Sequence, residues 1–177
     1  MVIGLKLLYT REQIADVVSR LATVITDDYT GKDLLVIGVL KGGVVFMADL
    51  VRKIDLPLEF DFIGLASYGD SVTSCGQVKV TAHPTTHLEG RHILVVEDIV
   101  DTGLCMAALL DVLKEQHPAS VKICALLDKP ERRRTPVEVD YTGFVIPDEF
   151  VVGYGLDCAQ RYRNLPEIYI LEKNNVE

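Results

Sequence analysis

The sequence predicts an α/β fold: a mostly parallel, twisted sheet flanked by helices, with a small hood built from the two ends of the chain. Three observations carry this. Short, branched apolar runs occur at 34–40 (LLVIGVL), 92–96 (HILVV) and 121–127 (VKICALL). Such runs suit strands buried on both faces, and parallel sheets are built of these. Helix-like stretches at 43–52 and 103–116 follow the first two runs. Strands alternating with helices favour a parallel sheet.

Each element has its own warrant. Thr10-Arg11-Glu12-Gln13 reads as a capping box, and Ile14, Val17, Val18, Leu21, Ala22 and Ile25 recur on one helical face. The run 34–40 leads through Lys41-Gly42-Gly43 into a second helix that ends near Arg52. Residues 58–66 alternate loosely and 77–82 (QVKVTA) cleanly, so both read as strands. Between them, 67–76 is rich in Ser and Gly and reads as a long mobile loop beginning at Ser67 and Tyr68. Strand 92–96, a loop at 97–102, helix 103–116 closed by Pro118, and strand 121–127 follow. The tail holds Pro, Gly and aromatics with weak periodicity, and it is expected to form the hood with the first residues.

With 177 residues, 49% of them apolar, the chain has the size of one domain with a full core. One domain over 1–177 is expected, with the hood from about 1–9 and 147–177. The net charge of −8 argues against broad nucleic-acid binding, which needs clustered Lys and Arg. An anionic ligand must therefore be held by a local site. The basic run 129–134 is broken by Pro130 and Glu131 and reads as a solvated turn. Cys75, Cys105, Cys124 and Cys158 show no CxxC spacing, which fits a reducing cytoplasm. The apolar opening is too short for a signal peptide, and no apolar run is long enough to span a bilayer. The expected partners are small molecules, with no nucleic acid and no membrane.

Open parallel sheets bind ligands beyond the carboxyl ends of their strands, where residues 97–102 lie. Thr102, Gly103, Leu104 and Cys105 open a helix whose unpaired N–H groups and positive dipole end suit a phosphate. Glu97, Asp98 and Asp101 would repel a bare phosphate unless they address ribose hydroxyls or Mg²⁺. A phosphorylated ribose with its metal explains both the amides and the acids. On spacing alone, a structural helix N-terminus with acids and a Thr cap remains an equal alternative, and acid-rich strand ends also occur in phosphoacceptor domains.

The wording of the segment, VVEDIVDTG at 95–103, resembles the binding signature for phosphoribosyl pyrophosphate (PRPP) in type I phosphoribosyltransferases. The resemblance continues through LKGG at 40–43, Ser67-Tyr68, Lys129, PDEFVVGY at 147–154 and Leu156-Asp157 to Arg163. These look like the successive motifs of hypoxanthine-guanine phosphoribosyltransferases.

That resemblance implies a purine-salvage transferase moving phosphoribosyl from PRPP to hypoxanthine or guanine, with Mg²⁺ as cofactor. By it, Asp101 is the base that takes the purine proton, and Glu97 and Asp98 hold the ribose hydroxyls. Asp101, Thr102, Gly103, Leu104 and Cys105 wrap the 5′-phosphate, although the family usually carries a hydroxyl at the position of Cys105. Lys41 and Gly42 form the pyrophosphate loop, with a cis peptide between Leu40 and Lys41. Lys129 addresses the purine oxygen, Phe150 stacks on the ring and Val151 meets its edge. Asp157, among the purine-side residues, binds a Mg²⁺ on the pyrophosphate, with Glu97 and Asp98 as further metal candidates, and Arg163 holds the same leaving group. Ser67 and Tyr68 belong to a closing loop, and a homodimer or homotetramer is expected. Two other readings stand beside this one: a PRPP-sensing regulator of the same fold, and a transferase for another base such as xanthine.

Overall fold

The computed structural model describes residues 4–67 and 78–172. Strand β1 (Gly4–Tyr9) leads into α1 (Arg11–Tyr29), whose N-terminus carries the expected reciprocal capping box of Thr10 and Gln13. Next come β2 (Leu34–Leu40), α2 (Gly43–Val51), β3 (Glu59–Ser67) and β4 (Val78–Ala82). Strand β5 (His92–Val100), α3 (Leu104–Lys114), β6 (Ser120–Asp128), β7 (Tyr141–Val145), β8 (Val151–Val152) and β9 (Ile168–Glu172) complete the order.

Among the described residues, six strands form one sheet in the order β4-β3-β2-β5-β6-β7. Pairings from β3 through β7 are parallel, and only β4 runs antiparallel. The alternation of side chains explains why β2 is apolar throughout. Leu34 and Val36 meet α1 and α2 through Ile14, Leu21, Phe46 and Leu50. Leu35, Ile37 and Val39 face the other way, toward Met106, Leu109 and Leu113 of α3. Each face is thus covered by helix, as a parallel sheet requires.

The expected loop at 97–102 is corrected by the structure. Strand β5 continues to Val100, because Glu97, Ile99 and Val100 still pair with Ala125, Leu127 and Asp128 of β6. The ladder therefore carries two acids into the strand, and the connection to α3 shrinks to 101–103. Strand β7 and the hood strands lacked periodicity strong enough to be read. In the hood, β9 lies between β1 and β8, both antiparallel to it. The chain ends are joined there by main-chain pairing.

Candidate active site

Chain direction across the sheet reverses between β2 and β5. Helix α2 carries the chain outward from β2 to β3, whereas α3 carries it the other way from β5 to β6. The carboxyl ends of two adjacent strands then open apart, leaving a crevice where α/β sheets bind ligands. The 41–43 turn forms one lip and 97–105 the other.

The lips touch closely. A Cβ on Gly42 would overlap the Asp98 carboxylate, and one on Gly43 would lie 2.9 Å from the Val96 carbonyl oxygen. The Leu40–Lys41 peptide is cis, as the resemblance implies. Lys41 Nζ donates to Gln160 Oε1 at 3.3 Å, which brings the 153–163 segment over the same turn. Gly155 is required there twice over: its φ is +100°, and a Cβ would overlap the Gly42 carbonyl oxygen.

On the other lip, Asp98 is buried and its Oδ1 accepts the Ile99 N–H at 2.8 Å. Burial and the neighbouring Asp98 push Glu97 well above the usual carboxylate range, and burial raises Asp98 as well. Among the described residues, neither acid has an ion-pair partner. Two adjacent, desolvated acids, Asp98 within the field of the Arg163 guanidinium, fit a cation or the hydroxyls of a sugar. Mg²⁺ is chemically compatible with them. Yet no group of three metal-ligating side chains gathers among the described residues, so Asp157 does not join Glu97 and Asp98 in one cage. Asp157 Oδ1 instead lies 2.7 Å from Arg163 Nη2, and Asp157 Oδ2 accepts the Gln160 N–H. A metal bound here needs oxygens that its substrate brings along.

The turn into α3 has the geometry expected of an anion cradle. Gly103 caps the helix in the left-handed conformation at φ 82°. Thr102, Gly103, Cys105 and Met106 line a cavity of about 100 Å³ with Glu97 and Asp101. Leu104 is the first helical residue and is half-buried beside it.

The far end of the crevice holds Lys129, Phe150 and Val151. Lys129 is only 6% exposed, and its Nζ donates to the Glu149 carbonyl oxygen at 2.6 Å. Phe150 is 49% exposed for a large apolar ring, whereas Val151 is buried and pairs with Ile170. An open aromatic face beside a buried ammonium suits a flat, polar-edged ligand. Tyr68 and the Ser67 side chain lie outside the described residues.

The basic run 129–134 corrects its sequence reading as a solvated turn. Pro130–Arg132 forms a 3₁₀ turn, and the segment after it clamps the 101–103 connection. Arg134 and Thr135 amides both donate to the Thr102 carbonyl oxygen, at 2.9 and 3.1 Å. Arg133 donates to the Asp101 carbonyl oxygen and pairs with Asp128, while Arg132 Nε lies 2.8 Å from Asp101 Oδ1. Three successive arginines next to Lys129 were the only sequence signal for this. A cavity of about 480 Å³ lies elsewhere, between α1, α2 and residues 154–166. Of the residues assigned to the site, only Arg163 lines it.

Comparison with known proteins agrees with this geometry. The phosphoribosyl transferase domain family matches residues 5–159. A hypoxanthine-guanine phosphoribosyltransferase of Bacillus subtilis is 47% identical over 94% of this chain and 93% of its own length. The Streptococcus pneumoniae R6 protein of the same name is 46% identical over 95% of this chain. Bifunctional TilS/HprT proteins of Listeria are also 46% identical, and the chain spans only 26% of their length. Among solved structures, a hypoxanthine-guanine phosphoribosyltransferase from Bacillus anthracis aligns with a TM-score of 0.90 at 43% identity, covering 97% of this chain and all of the other. A hypoxanthine phosphoribosyltransferase from Staphylococcus aureus aligns at 0.91 and 41%, covering 94% of this chain and 91% of that one.

Proposed function

The chain belongs to the phosphoribosyl transferase family, and on that premise we propose that it transfers the 5-phosphoribosyl group of PRPP to hypoxanthine and guanine, giving IMP or GMP and pyrophosphate. The observation that carries this reading is the crevice at the β2/β5 reversal, which brings the 41–43 turn, the 97–105 segment and Lys129 to one side of the sheet.

Each residue has a task in this reaction. Asp101, Thr102, Gly103, Leu104 and Cys105 cradle the 5′-phosphate, mostly through the helix N–H groups. Glu97 and Asp98 accept the ribose hydroxyls, which relieves two desolvated acids of their mutual repulsion. Lys41 and Gly42 present backbone to the pyrophosphate, and Arg163 holds that leaving group from the opposite segment. Phe150 stacks on the purine, and the Val151 backbone meets its edge. Lys129 donates to the purine oxygen; the amino group of adenine at that position would set two donors against each other.

Bond breaking between ribose C1 and pyrophosphate leaves an oxocarbenium-like sugar, so the site must manage charge at both ends. Asp101 accepts the purine proton, which strengthens the attacking nitrogen. Arg163 offsets negative charge on the departing pyrophosphate. Mg²⁺, when bound with Asp157 or with Glu97 and Asp98, would neutralise further charge on that group.

The residues 1–177 act as one unit in this reading, with the ends as its hood, and as a homodimer or homotetramer in the cytoplasm. No helix among the described residues is long and apolar enough to cross a membrane.

The direct test is incubation with PRPP, Mg²⁺ and one base at a time, following nucleotide formation. Hypoxanthine and guanine are expected to react and adenine and uracil to remain; equal turnover of adenine overturns the assignment. In the same assay Asp101→Asn should lower kcat by about a hundredfold or more, the scale of general-base catalysis, with little change in PRPP affinity.

A further inference from the structure

Asp101 and Lys129 stand at the two ends of one chain of alternating charges. Arg132 Nε lies 2.8 Å from Asp101 Oδ1, and Arg132 Nη1 donates to Asp148 Oδ1 at 2.7 Å. Lys129 Nζ lies 3.8 Å from the same Asp148 oxygen while it donates to the Glu149 carbonyl. One guanidinium therefore joins the residue that receives the purine proton to the segment that holds the purine ring.

The local fold gives Arg132 little freedom. Its 3₁₀ turn begins at Pro130, and the Lys129 amide ahead of it donates to the Val100 carbonyl oxygen at 2.9 Å. The Arg132 amide closes the turn onto the Lys129 carbonyl oxygen at 3.1 Å. The turn is thus tied to the ends of β5 and β6, the strands that deliver Asp101 and Lys129. A planar guanidinium with donors on separate nitrogens can hold two carboxylates at fixed angles, which an ammonium cannot do. Hydrogen bonding from Arg132 is also the main cause that keeps Asp148 below the usual carboxylate range.

We propose that Arg132 is a positioning residue: by bridging Asp101 to Asp148 it orients the proton-accepting carboxylate toward the purine seated on residues 149–151. The proposal rests on Asp101 as the base, and it assigns Arg132 no contact with substrate. It pairs with one buried oxygen of Asp101, which accepts no formed hydrogen bond, and the charge of the guanidinium favours one orientation of the carboxylate. It also neutralises Asp148, which without it would draw on Lys129 and compete with the purine oxygen. Loss of the bridge should therefore slow the chemical step and weaken purine binding, and leave PRPP binding alone.

The test measures kcat, the KM for hypoxanthine and the Kd for PRPP in four variants: Asp101→Asn, Arg132→Gln, Arg132→Lys and Asp101→Asn with Arg132→Gln. Thermal melts check that each is folded, and the partly exposed Arg132 should tolerate both changes. Arg132→Gln is expected to lower kcat by about ten- to a hundredfold, the scale at which a misplaced reacting group costs rate, and to raise the hypoxanthine KM. Its PRPP Kd should stay within about twofold, as for an interaction made away from that ligand. Arg132→Lys keeps the charge but loses the bridge, so it should remain nearly as slow. The double variant should be no slower than Asp101→Asn alone, because both changes remove one function. A slow Asp101→Asn beside a full-speed Arg132→Gln, or losses that multiply in the double variant, overturns the proposal and leaves Asp101 as the base. An Asp101→Asn enzyme with undiminished kcat removes the base assignment and this proposal together.

Discussion

Lys129 Nζ lies 2.6 Å from the carbonyl oxygen of Glu149, so a lysine that the sequence placed in a solvated turn is buried against the segment before β8. The contact fixes the ammonium where a neutral or shorter side chain could not replace it. A buried donor left without its acceptor, or an acceptor without its donor, costs about 1–3 kcal/mol. Lys129→Gln is expected to raise the hypoxanthine KM by about tenfold or more, one decade per 1.4 kcal/mol, and to narrow the gap between hypoxanthine and adenine. Steady-state kinetics with both bases decide it; an unchanged preference would remove Lys129 from purine recognition.

Gly42 leaves room for the Asp98 carboxylate, which a Cβ there would overlap. Its backbone is right-handed helical, at φ −62° and ψ −43°, so alanine meets no conformational penalty and the effect is steric alone. Because Asp98 is buried, its carboxylate has little space into which to retreat. Gly42→Ala should lower stability by about 1–3 kcal/mol, as overpacking does, and weaken PRPP binding. Chemical denaturation and ligand titration report the two effects separately. Wild-type values in both would mean that the crevice relaxes freely.

Cys105 sits in the first turn of α3 and lines the small cavity beside Asp101 and Thr102. A hydroxyl donates to a phosphate better than a thiol does, and a hydrogen bond to a charged group is worth roughly 1.5–3 kcal/mol. Cys105→Thr is expected to tighten PRPP binding by up to about tenfold, reduced by the crowding of a β-branched side chain in a helix. Bound PRPP should also protect the wild-type thiol from alkylation. No protection together with weaker binding by the variant would put the phosphate on backbone amides alone.

Asp61 anchors the segment after β4. Burial pushes its pKa up, but hydrogen bonds from the amides of Thr86, Phe62 and Thr85 and from the Thr86 hydroxyl outweigh that and bring it to about 2. A carboxylate depressed in the folded state stabilises it fully above its unfolded value, near 4, and loses that contribution as pH falls toward about 2. Urea denaturation midpoints should therefore drop between about pH 4 and pH 2, and Asp61→Asn should flatten that drop while lowering stability at neutral pH. An identical acid limb in the variant would place the sensitivity on other carboxylates.

Much of the molecule was legible because the relevant signals are local. The Thr10–Gln13 capping box, the helical face of α1 and the uniformly apolar β2 each depend on residues within a few positions of one another. Residues 101–105 are equally compact, since a glycine at positive φ and a helix N-terminus fall within one turn. Even the end of β5 was misjudged for a local reason: acids suggest a loop, and only the ladder to Ala125, Leu127 and Asp128 keeps them in the strand.

What the sequence determined by itself was the α/β class, the first helix with its cap, the buried strands and the helix start at 103–104. Tertiary structure alone decided that Lys129 is buried, that Asp157 pairs with Arg163, and that β1 lies beside β9. It also decided that Arg133 reaches the Asp101 carbonyl 32 positions away and that Arg132 bridges Asp101 to Asp148. The physical reason is that periodicity and capping act through neighbouring backbone groups. The partner of a charge, by contrast, is chosen by burial and distance once the sheet has brought remote strand ends together, and a run of arginines reads the same in sequence whether it meets water or carboxylates.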